Sequence, residues 1–359
     1  MAINRAGLTR VCLTPRMAGV GGMVSFQHKL ADGLARRGIA VCYDLDDEPY
    51  QAVLVIGGTR HLAGLWRARR RGLPVVQRLD GINWLHRLAG PRRAGLRHYL
   101  RAEYGNRLLA FIRRRLASRI VYQSQFVRGW WERTRGATPV ACTIIYNGVD
   151  LDVYTPHAPE HPPDDRWRLL LVEGSLAGGY EQGLETAIAW AEDLAANHAV
   201  ALGRPLELMV VGRLSPELQE YWQAYRQRPA APAGLSITWA GLAQRQQIPA
   251  IDRAAHVLFS ADLNAACPNA VIEALACGLP VVAFDTGALP ELVANGAGGI
   301  ARYGGDPWRL DPPDVPALAR ATLDVLANQP AYSQAARRRA ETAYGLETMV
   351  DAYLQALEG

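Results

Sequence analysis

The stretch ACPNAVIEALACGLPVVAFDTG, residues 266–287, contains the signals of a helix followed by a strand. Pro268 and Asn269 suit a helix start, Gly278 suits its end, and the apolar run after it predicts a strand. The helix is apolar except for one carboxylate, Glu273. A buried carboxylate is costly without a partner. We therefore expect Glu273 to bind a ligand with paired hydroxyl groups, such as a ribose; the helix dipole offers a simpler account of its position.

Helix and strand signals of this kind alternate along the whole chain of 359 residues. Short runs rich in Val, Leu and Ile are separated by amphipathic stretches, which is typical of parallel sheets covered by helices. The pattern stops at residues 151–165, which are rich in proline and acidic side chains, and then starts again. We predict an α/β fold of two Rossmann-like, doubly wound domains facing a cleft. They span residues 1–155 and 156–335, and a C-terminal helix at 336–359 crosses back to the first domain.

The cysteines and the apolar runs indicate whether to expect disulfides, a zinc site or a membrane-spanning segment. Five scattered cysteines without a CxxC pair argue against a disulfide framework and a zinc site. The first fifteen residues lack the apolar core of a signal peptide, and no apolar run reaches the roughly 18 residues of a spanning helix. We expect a cytoplasmic protein without a metal site, at most peripheral at the inner face of the membrane.

The net charge of +5 conceals an asymmetry between the two halves of the chain. Residues 1–150 carry a net charge of +16, and residues 151–359 carry −11. From residue 87 to residue 119 one acid, Glu103, stands against ten arginines: Arg87, Arg92, Arg93, Arg97, Arg101, Arg107, Arg113, Arg114, Arg115 and Arg119. A neighbouring apolar stripe consists of Leu96, Leu100, Tyr104 and Leu108. This pattern predicts a basic amphipathic helix.

The basic helix is a candidate for docking on an anionic membrane surface or a phosphorylated acceptor. A solvated helix face is the ordinary alternative for a run of charges. Nucleic acid is a less favoured partner, because the sequence contains no identifiable recognition module.

Two glycine-containing segments follow strand-like runs and precede helix-like ones. The first holds Gly21 and Gly22, and the second holds Gly174 and Ser175, with Gly178 and Gly179 after them. Glycine lets the backbone approach a ligand, and free N–H groups at a helix start can hold a phosphate. A tight turn and a flexible connection are the respective alternatives. Neither segment is a GxGxxG dinucleotide fingerprint.

Asp80 follows the apolar run LPVVQRL, where the tip of a strand is expected. Its carboxylate could accept hydrogen bonds from sugar hydroxyl groups. The alternative is a turn formed by Asp80 and Gly81.

Together these segments resemble the retaining glycosyltransferases of family 4, which have the GT-B fold. The resemblance rests on GVGGMVSFQHKLADGLARRGIAV, on SQFVRGWW with IIYNGVDLDVYTP, and above all on CPNAVIEALACGLPVVAFDTGALPELV. It implies that Glu273 holds the donor ribose, that Gly21 and Gly22 approach the donor, and that Asp80 lies near the transferred sugar. The donor-binding set is then Gly21, Gly22, Gly174, Ser175, Arg213, Pro268, Asn269 and Glu273.

The chain departs from the family pattern at two places. Where the family has a glutamate that contacts the donor sugar, this chain has Ala265, so we expect Asp262 and Asn264 to take its place. Where the family pairs the donor diphosphate with an arginine and a lysine, this chain has Ser175 at the first position and no lysine at the second. Leaving-group stabilisation must then come from backbone N–H groups or from an arginine elsewhere, such as Arg213.

The resemblance implies a metal-independent hexosyltransferase that moves a sugar from a UDP- or GDP-sugar to a hydroxyl group, with no cofactor. The acceptor would be a glycan, a glycolipid or a small molecule. Because of Ala265 and Ser175, a nucleotide-sugar-binding protein with weak or no activity is an alternative. A sugar-nucleotide epimerase on the same fold is a second alternative.

Overall fold

The structure, a computed structural model, describes residues 7–19, 21–93, 95–157, 159–176, 181–228 and 231–358. The strands are β1 (Arg10–Thr14), β2 (Ala40–Cys42), β3 (Ala52–Ile56), β4 (Val75–Leu79), β5 (Arg119–Tyr122), β6 (Ala141–Ile144), β7 (Trp167–Ser175), β8 (Leu206–Arg213), β9 (Leu235–Gly241), β10 (Val257–Ser260), β11 (Val281–Phe284) and β12 (Gly298–Ala301). The helices are α1 (Gly22–Arg36), α2 (Leu62–Arg70), α3 (Leu85–Arg93), α4 (Leu96–Phe111), α5 (Gln125–Arg135), α6 (Glu181–Asn197), α7 (Ala199–Leu202), α8 (Pro216–Arg226), α9 (Ile248–Arg253), α10 (Asn269–Ala276), α11 (Leu289–Leu292), α12 (Val315–Ala327), α13 (Gln329–Ala343) and α14 (Leu346–Glu358).

The chain divides into two compact units, residues 1–148 with 346–359 and residues 149–345. The boundary between the units therefore falls at residue 148, earlier than the expected 155. The C-terminal segment that belongs to the first unit begins at residue 346, later than the expected 336. Arg337 on α13 gives the physical reason. Its guanidinium donates hydrogen bonds to the carbonyl oxygens of Tyr154, at 2.8 Å, and Ala276, at 2.7 Å. Both the segment after residue 148 and the whole of α13 thus belong to the second unit.

The first unit is built on a six-stranded parallel sheet in the order β2-β1-β3-β4-β5-β6. The sequence AVLVI makes β3 buried along its whole length, as expected for a central parallel strand. Strand β4 is also fully buried although it contains Gln77 and Arg78. The Gln77 amide donates to the carbonyl oxygen of Gly57 at 2.7 Å. Arg78 donates to Asn147 at 2.8 Å and stacks over the ring of Phe26 at 3.9 Å.

The C-terminal helix α14 packs against α1 within the first unit. The rings of Phe26 and Tyr353 lie 5.1 Å apart. Gly33 leaves room for Val350, because a Cβ atom on Gly33 would lie 2.4 Å from a methyl group of that side chain. At the rim, Arg37 pairs with Asp351 at 2.7 Å. Apolar packing therefore holds this helix, and the exposed ion pair contributes little.

The second unit is built on a parallel sheet in the order β12-β11-β10-β7-β8-β9. Its first and fourth strands, β7 and β10, are neighbours, which is the classical Rossmann order. The expected doubly wound parallel sheets are therefore confirmed in both units. In such a sheet ligands bind at the carboxyl ends of the strands, beside the point where the strand order reverses. In the second unit this point lies between the ends of β7 and β10.

The loop after β10 is held by a close backbone contact with the loop after β11. Gly287 has φ +61°, and a Cβ atom on it would lie 2.4 Å from the backbone nitrogen of Ala265. The N–H of Ala288 donates to the carbonyl oxygen of Ala265 at 2.8 Å. Asn264, the residue before, adopts φ 53°. Only glycine at position 287 allows this contact, so it determines where the β10 loop lies.

None of the helices in the described part of the chain combines the length and the apolar character needed to cross a bilayer.

We predict that acid destabilises the second unit through His256. This imidazole is 7% exposed and accepts a hydrogen bond from the backbone N–H of Arg168 at 2.9 Å. Burial, and then the neighbouring Arg204 and Arg168, lower the pKa of His256 to about 4. The unfolded chain, with a histidine pKa of about 6.5, binds the proton more readily, so stability falls as pH drops through this range.

The expected loss between pH 7 and pH 5 is about 2 kcal/mol from this residue. Calorimetric melting at the two pH values measures it. The His256→Asn variant keeps an acceptor for the Arg168 N–H, and its melting temperature should fall less on acidification. An equal fall in both proteins would show that His256 is not responsible.

We also predict that Gly287→Ala destabilises the protein far more than Gly203→Ala. Both glycines lie in the second unit with nearly equal φ, +61° and +64°, but a Cβ atom on Gly203 meets nothing within 4 Å. The control should lose about 1 kcal/mol from backbone strain alone. Gly287→Ala should lose about 3 kcal/mol or more, since the methyl group overlaps the Ala265 backbone. Equal losses in chemical denaturation would contradict the close contact.

Candidate functional site

The candidate site of the second unit lies at the carboxyl edge of its sheet. Residues from four neighbouring strand ends meet at this edge: Gly174 and Ser175 at the end of β7, Arg213 at the end of β8, Asp262 and Asn264 after β10, and Thr286 after β11. Helix α6 begins against the same loop, because a Cβ atom on Gly183 would lie 2.8 Å from that of Ala261. Gly178 and Gly179 of the expected phosphate loop lie outside the described residues.

Two carboxyl groups face each other across the reversal of strand order. Glu173 is the third residue from the end of β7, and Asp262 lies two residues after the end of β10. Burial raises the pKa of Asp262. Burial and then the Asp262 carboxylate raise the pKa of Glu173 well above its usual range. Sequence reasoning identified Asp262 but missed Glu173, although its place at the end of the run WRLLLVEG is the signal that identified Asp80.

Two buried polar atoms near this pair have no hydrogen-bond partner among the described residues. They are the side-chain nitrogen of Asn264 and the hydroxyl of Thr286, in residues only 5% and 3% exposed. Buried polar groups are nearly always hydrogen-bonded, so an orphan atom needs an explanation. The Gly287 contact holds both segments in place. The Asn264 nitrogen is a donor, and the Thr286 hydroxyl can both donate and accept. The hydroxyl groups of a ligand could satisfy both.

Arg213 lies beside Ser175, because the two residues are paired across β7 and β8. The Arg213 side chain is exposed and forms no hydrogen bond or ion pair with another described residue. A β-bulge between Val172 and Ser175 shifts the register just before this pair. The chain thus carries a cation one strand away from the position where the family resemblance implies one.

Helix α10 begins at Asn269, and its cap residue, Pro268, makes no side-chain hydrogen bond to the first turn. The N-terminus of a helix carries a partial positive charge. Glu273 is the fifth residue of α10, beyond the first turn where the dipole acts. The dipole alternative is therefore the weaker explanation for this carboxylate.

The surroundings of Glu273 are less apolar than the sequence suggests. Burial and then the Glu273 carboxylate raise the pKa of Asp252, a residue only 2% exposed. The same two causes, in the same order, raise the pKa of Tyr154. Tyr154 and Asp252 are distant in sequence from Glu273, so sequence neighbours could not reveal them. Asp252 and Tyr154 thus lie near enough to the partly buried Glu273 for its charge to raise their pKa values.

In the first unit, Gly21, Gly22 and Asp80 also lie at the carboxyl edge of their sheet. Gly21 has φ 145° and precedes α1, which has no side-chain cap. Gln27 braces the loop before it, since its side chain accepts from the Met17 N–H at 2.7 Å and donates to the Pro15 carbonyl at 2.9 Å.

Asp80 follows β4, and its carbonyl oxygen accepts from the indole of Trp131 at 2.8 Å. Burial raises the pKa of the Asp80 carboxyl, and the nearby Arg78 guanidinium acts in the opposite direction. Gly81 is constrained by packing, because a Cβ atom there would lie 2.6 Å from the ring of Trp130. Packing against Trp130 thus explains the glycine at position 81 without a turn, and Asp80 keeps a carboxyl at the sheet edge.

The run of arginines from Arg87 to Arg119 is not one continuous surface. Arg113 is fully buried and donates to the hydroxyl of Tyr122 at 2.8 Å and to the Gly136 carbonyl at 2.9 Å. Helix α4 ends at Phe111, and a π-helical turn follows it. Arg113 is therefore a core residue, because the chain turns inward there.

One group of three possible metal ligands occurs among the described residues: Asp44, Asp46 and His61, in the first unit. Asp46 already pairs with Arg67, and both aspartates are exposed. Nothing connects this group to the sheet edge that carries the candidate site, and we assign no ion to it.

Comparison with known proteins identifies the type of domain. The family described as glycosyl transferases group 1 matches residues 168–328. The D-inositol 3-phosphate glycosyltransferase of Geodermatophilus obscurus is 33% identical over 230 residues, which is 62% of this chain and 48% of that protein. The match thus spans about half the length of this curated relative.

Solved structures resemble the whole chain. The sucrose-phosphate synthase of Thermosynechococcus elongatus has a TM-score of 0.68 at 17% identity and covers 97% of this chain and 98% of its own. The Anabaena protein HepE, solved with UDP and glucose, has a TM-score of 0.65 at 16% identity and covers 97% and 99%. At such identities the likeness shows the fold. The protein therefore has the GT-B fold, and residues 168–328 form a domain of the glycosyl transferases group 1 family.

Proposed function

We propose that the protein is a retaining, metal-independent hexosyltransferase of family 4. It moves a sugar from a nucleotide-sugar donor to a hydroxyl group of a glycan, a glycolipid or a small molecule. One observation carries the proposal: orphan polar atoms, a carboxyl pair and an unpaired arginine lie together at the carboxyl edge of the matched domain. Two needs of a nucleotide-sugar donor, hydroxyl contacts for the sugar and a cation for the diphosphate, match these groups. The third, a contact for the ribose, is assigned to Glu273 on α10.

The donor diphosphate is placed beside the ends of β7 and β8. Gly174 offers a backbone that can approach closely, since a Cβ atom there would meet nothing within 4 Å. Arg213 supplies the cation that Ser175 does not. Charge-assisted hydrogen bonds from a guanidinium to phosphate are strong and can be bidentate. The Gly174 backbone and the Arg213 side chain thus take over the role of the missing arginine and lysine.

The transferred sugar is placed against Asp262, Asn264 and Thr286. Burial raises the pKa of both carboxyl groups, and the Asp262 carboxylate further raises that of Glu173, so the protonated form of this pair is favoured. A protonated carboxyl donates a hydrogen bond and does not repel the diphosphate. The acidic pair is therefore compatible with an anionic donor.

In the proposed reaction the donor diphosphate leaves and the acceptor hydroxyl attacks the same face of the sugar, so no enzyme nucleophile is needed. Arg213 and the α6 and α10 N-termini stabilise the charge that develops on the leaving group. Asp80, on the first unit, is proposed to contact the transferred sugar. The structures of HepE, solved with UDP, with UDP and glucose, and with UDP-glucose, support a uridine nucleotide as the first donor to test.

We predict that one nucleotide diphosphate stabilises the protein and that Glu273→Ala weakens its binding. Losing hydrogen bonds from ribose hydroxyls to a carboxylate costs about 1.5–3 kcal/mol, about ten- to a hundredfold in affinity. Thermal melting and calorimetry with UDP, GDP and ADP and their sugar conjugates measure it. Glu220→Ala, an exposed glutamate on α8, is the matched control and should bind as the parent does.

Turnover separates a transferase from a protein that only binds the donor. The proposal requires steady, acceptor-dependent release of the nucleoside diphosphate from the donor that binds best. Binding without turnover across a broad set of glycan, glycolipid and small-molecule acceptors would favour the non-catalytic alternative. No binding of any nucleotide by the folded protein would contradict the donor site itself.

We further predict that Arg213 recognises the diphosphate and that an arginine at position 175 can replace it. Arg213→Ala should weaken UDP or the preferred nucleoside diphosphate about tenfold or more, and the monophosphate much less. Because Ser175 and Arg213 are neighbours across β7 and β8, Ser175→Arg in the Arg213→Ala background should recover affinity. Equal losses for mono- and diphosphate, or failure of the second change to recover any affinity in a folded protein, would contradict this assignment.

A further inference from the structure

Helix α4 of the first unit presents an exposed apolar stripe. Leu96, Leu100, Tyr104 and Phe111 are each about half exposed, at 61%, 57%, 53% and 46%. With 3.6 residues per turn, these four side chains fall within an arc of about 80°. Contiguous exposed apolar side chains on a helix are unusual in a water-soluble surface and mark an interaction site.

Arginines border this stripe. Arg97 and Arg101 lie along one side of it, and Arg107 lies within its arc; all three are exposed. None of the three forms an ion pair or hydrogen bond with another described residue. We call these three arginines and the four apolar residues the α4 surface. A helix with this arrangement lies flat at a bilayer interface, with apolar side chains inserted and cations at the headgroups.

Several other arginines of the same unit form ion pairs. Arg36 pairs with Glu347 at 2.7 Å, Arg71 with Glu48 at 2.5 Å, and Arg128 with Glu132 at 3.0 Å. The one acid near the α4 surface, Glu103, is engaged by Arg87 at 2.6 Å and His86 at 2.9 Å. The hydrogen bond from Arg87 lowers the pKa of Glu103 to about 2. The cations of the α4 surface are therefore uncompensated.

The opposite face of α4 is fixed to the first unit. Asn106 is fully buried, and its side chain exchanges two hydrogen bonds with the backbone of Asn83, at 2.9 and 3.1 Å. His86 packs edge-on against Tyr99 with ring centres 5.0 Å apart. The helix therefore cannot rotate to bury its stripe. The adjoining helix α3 adds exposed Leu85 and Leu88, at 51% and 46%.

We propose that the α4 surface docks on the anionic headgroups of a lipid bilayer. Charge complementarity selects this occupant. A second copy of the chain would bring two uncompensated cationic faces together, and nucleic acid would leave the apolar stripe in water. Arginines near an anionic surface attract it, and the insertion of leucines and aromatic rings adds to the binding.

Sedimentation with lipid vesicles tests this inference without any nucleotide or acceptor, so its outcome is independent of the sugar-transfer proposal. The intact protein should bind vesicles that contain phosphatidylglycerol, bind phosphatidylcholine vesicles at least tenfold less, and be released by high salt. Arg97→Glu with Arg101→Glu should weaken binding at least tenfold. Leu96→Ser with Leu100→Ser should also weaken it, without changing its salt dependence.

The matched control reverses two exposed arginines of the second unit, Arg320→Glu with Arg338→Glu. It alters net charge by the same amount and should bind vesicles within about twofold of the parent. An equal loss in the control would mean that net charge alone drives binding and would overturn the inference. So would absence of binding to anionic vesicles, or dimerisation in ultracentrifugation that the two leucine changes abolish.

Discussion

The backbone contact between Gly287 and Ala265 is the constraint on which the site of the second unit depends. It requires a residue without a side chain, in a left-handed conformation, at the end of β11. With the chain held there, Asn264 lies buried with φ 53°, and its side-chain nitrogen remains without a partner among the described residues. Any side chain at 287 would push the β10 loop outward and expose this donor. The Gly287 contact thus holds the loop in a conformation that leaves the Asn264 nitrogen unsatisfied, whereas a loop free to repack would pair it.

The electrostatics of the same edge differ from what the family resemblance implies. The resemblance implies cations at the end of β7, whereas this chain has Glu173 and Ser175 there and places Arg213 on the next strand. A carboxylate beside a diphosphate would repel it. Burial and the Asp262 carboxylate raise the pKa of Glu173 well above its usual range, which favours the uncharged form that can donate a hydrogen bond. The shift of the cation from the end of β7 to Arg213 on β8 changes how the leaving group is stabilised without removing the means to bind it.

The sequence predicted the layout well and the contacts poorly, for a physical reason. Runs such as AVLVI indicate buried parallel strands locally, and parallel topology then assigns the strand ends to one edge. The start of α10 at Asn269 followed from local signals in the same way. The side chains whose pKa the Glu273 carboxylate raises, Asp252 and Tyr154, are in contrast distant in sequence, and only the folded chain brings them near. Orphan atoms such as the Thr286 hydroxyl depend on every neighbour at once, and no local pattern encodes them.

The charge of the first unit shows why composition alone could not locate a surface. Part of its excess is internal, since Arg78 and Arg113 are buried and serve the sheet and the core. Another part is balanced, as in the pair between Arg36 and Glu347. The rest is exposed and unpaired among the described residues, and only part of it lies on α4, where the nearest acid is already engaged and apolar side chains are exposed. A net charge of +16 therefore describes three different kinds of arginine, and only the uncompensated ones act at a distance on an anionic partner.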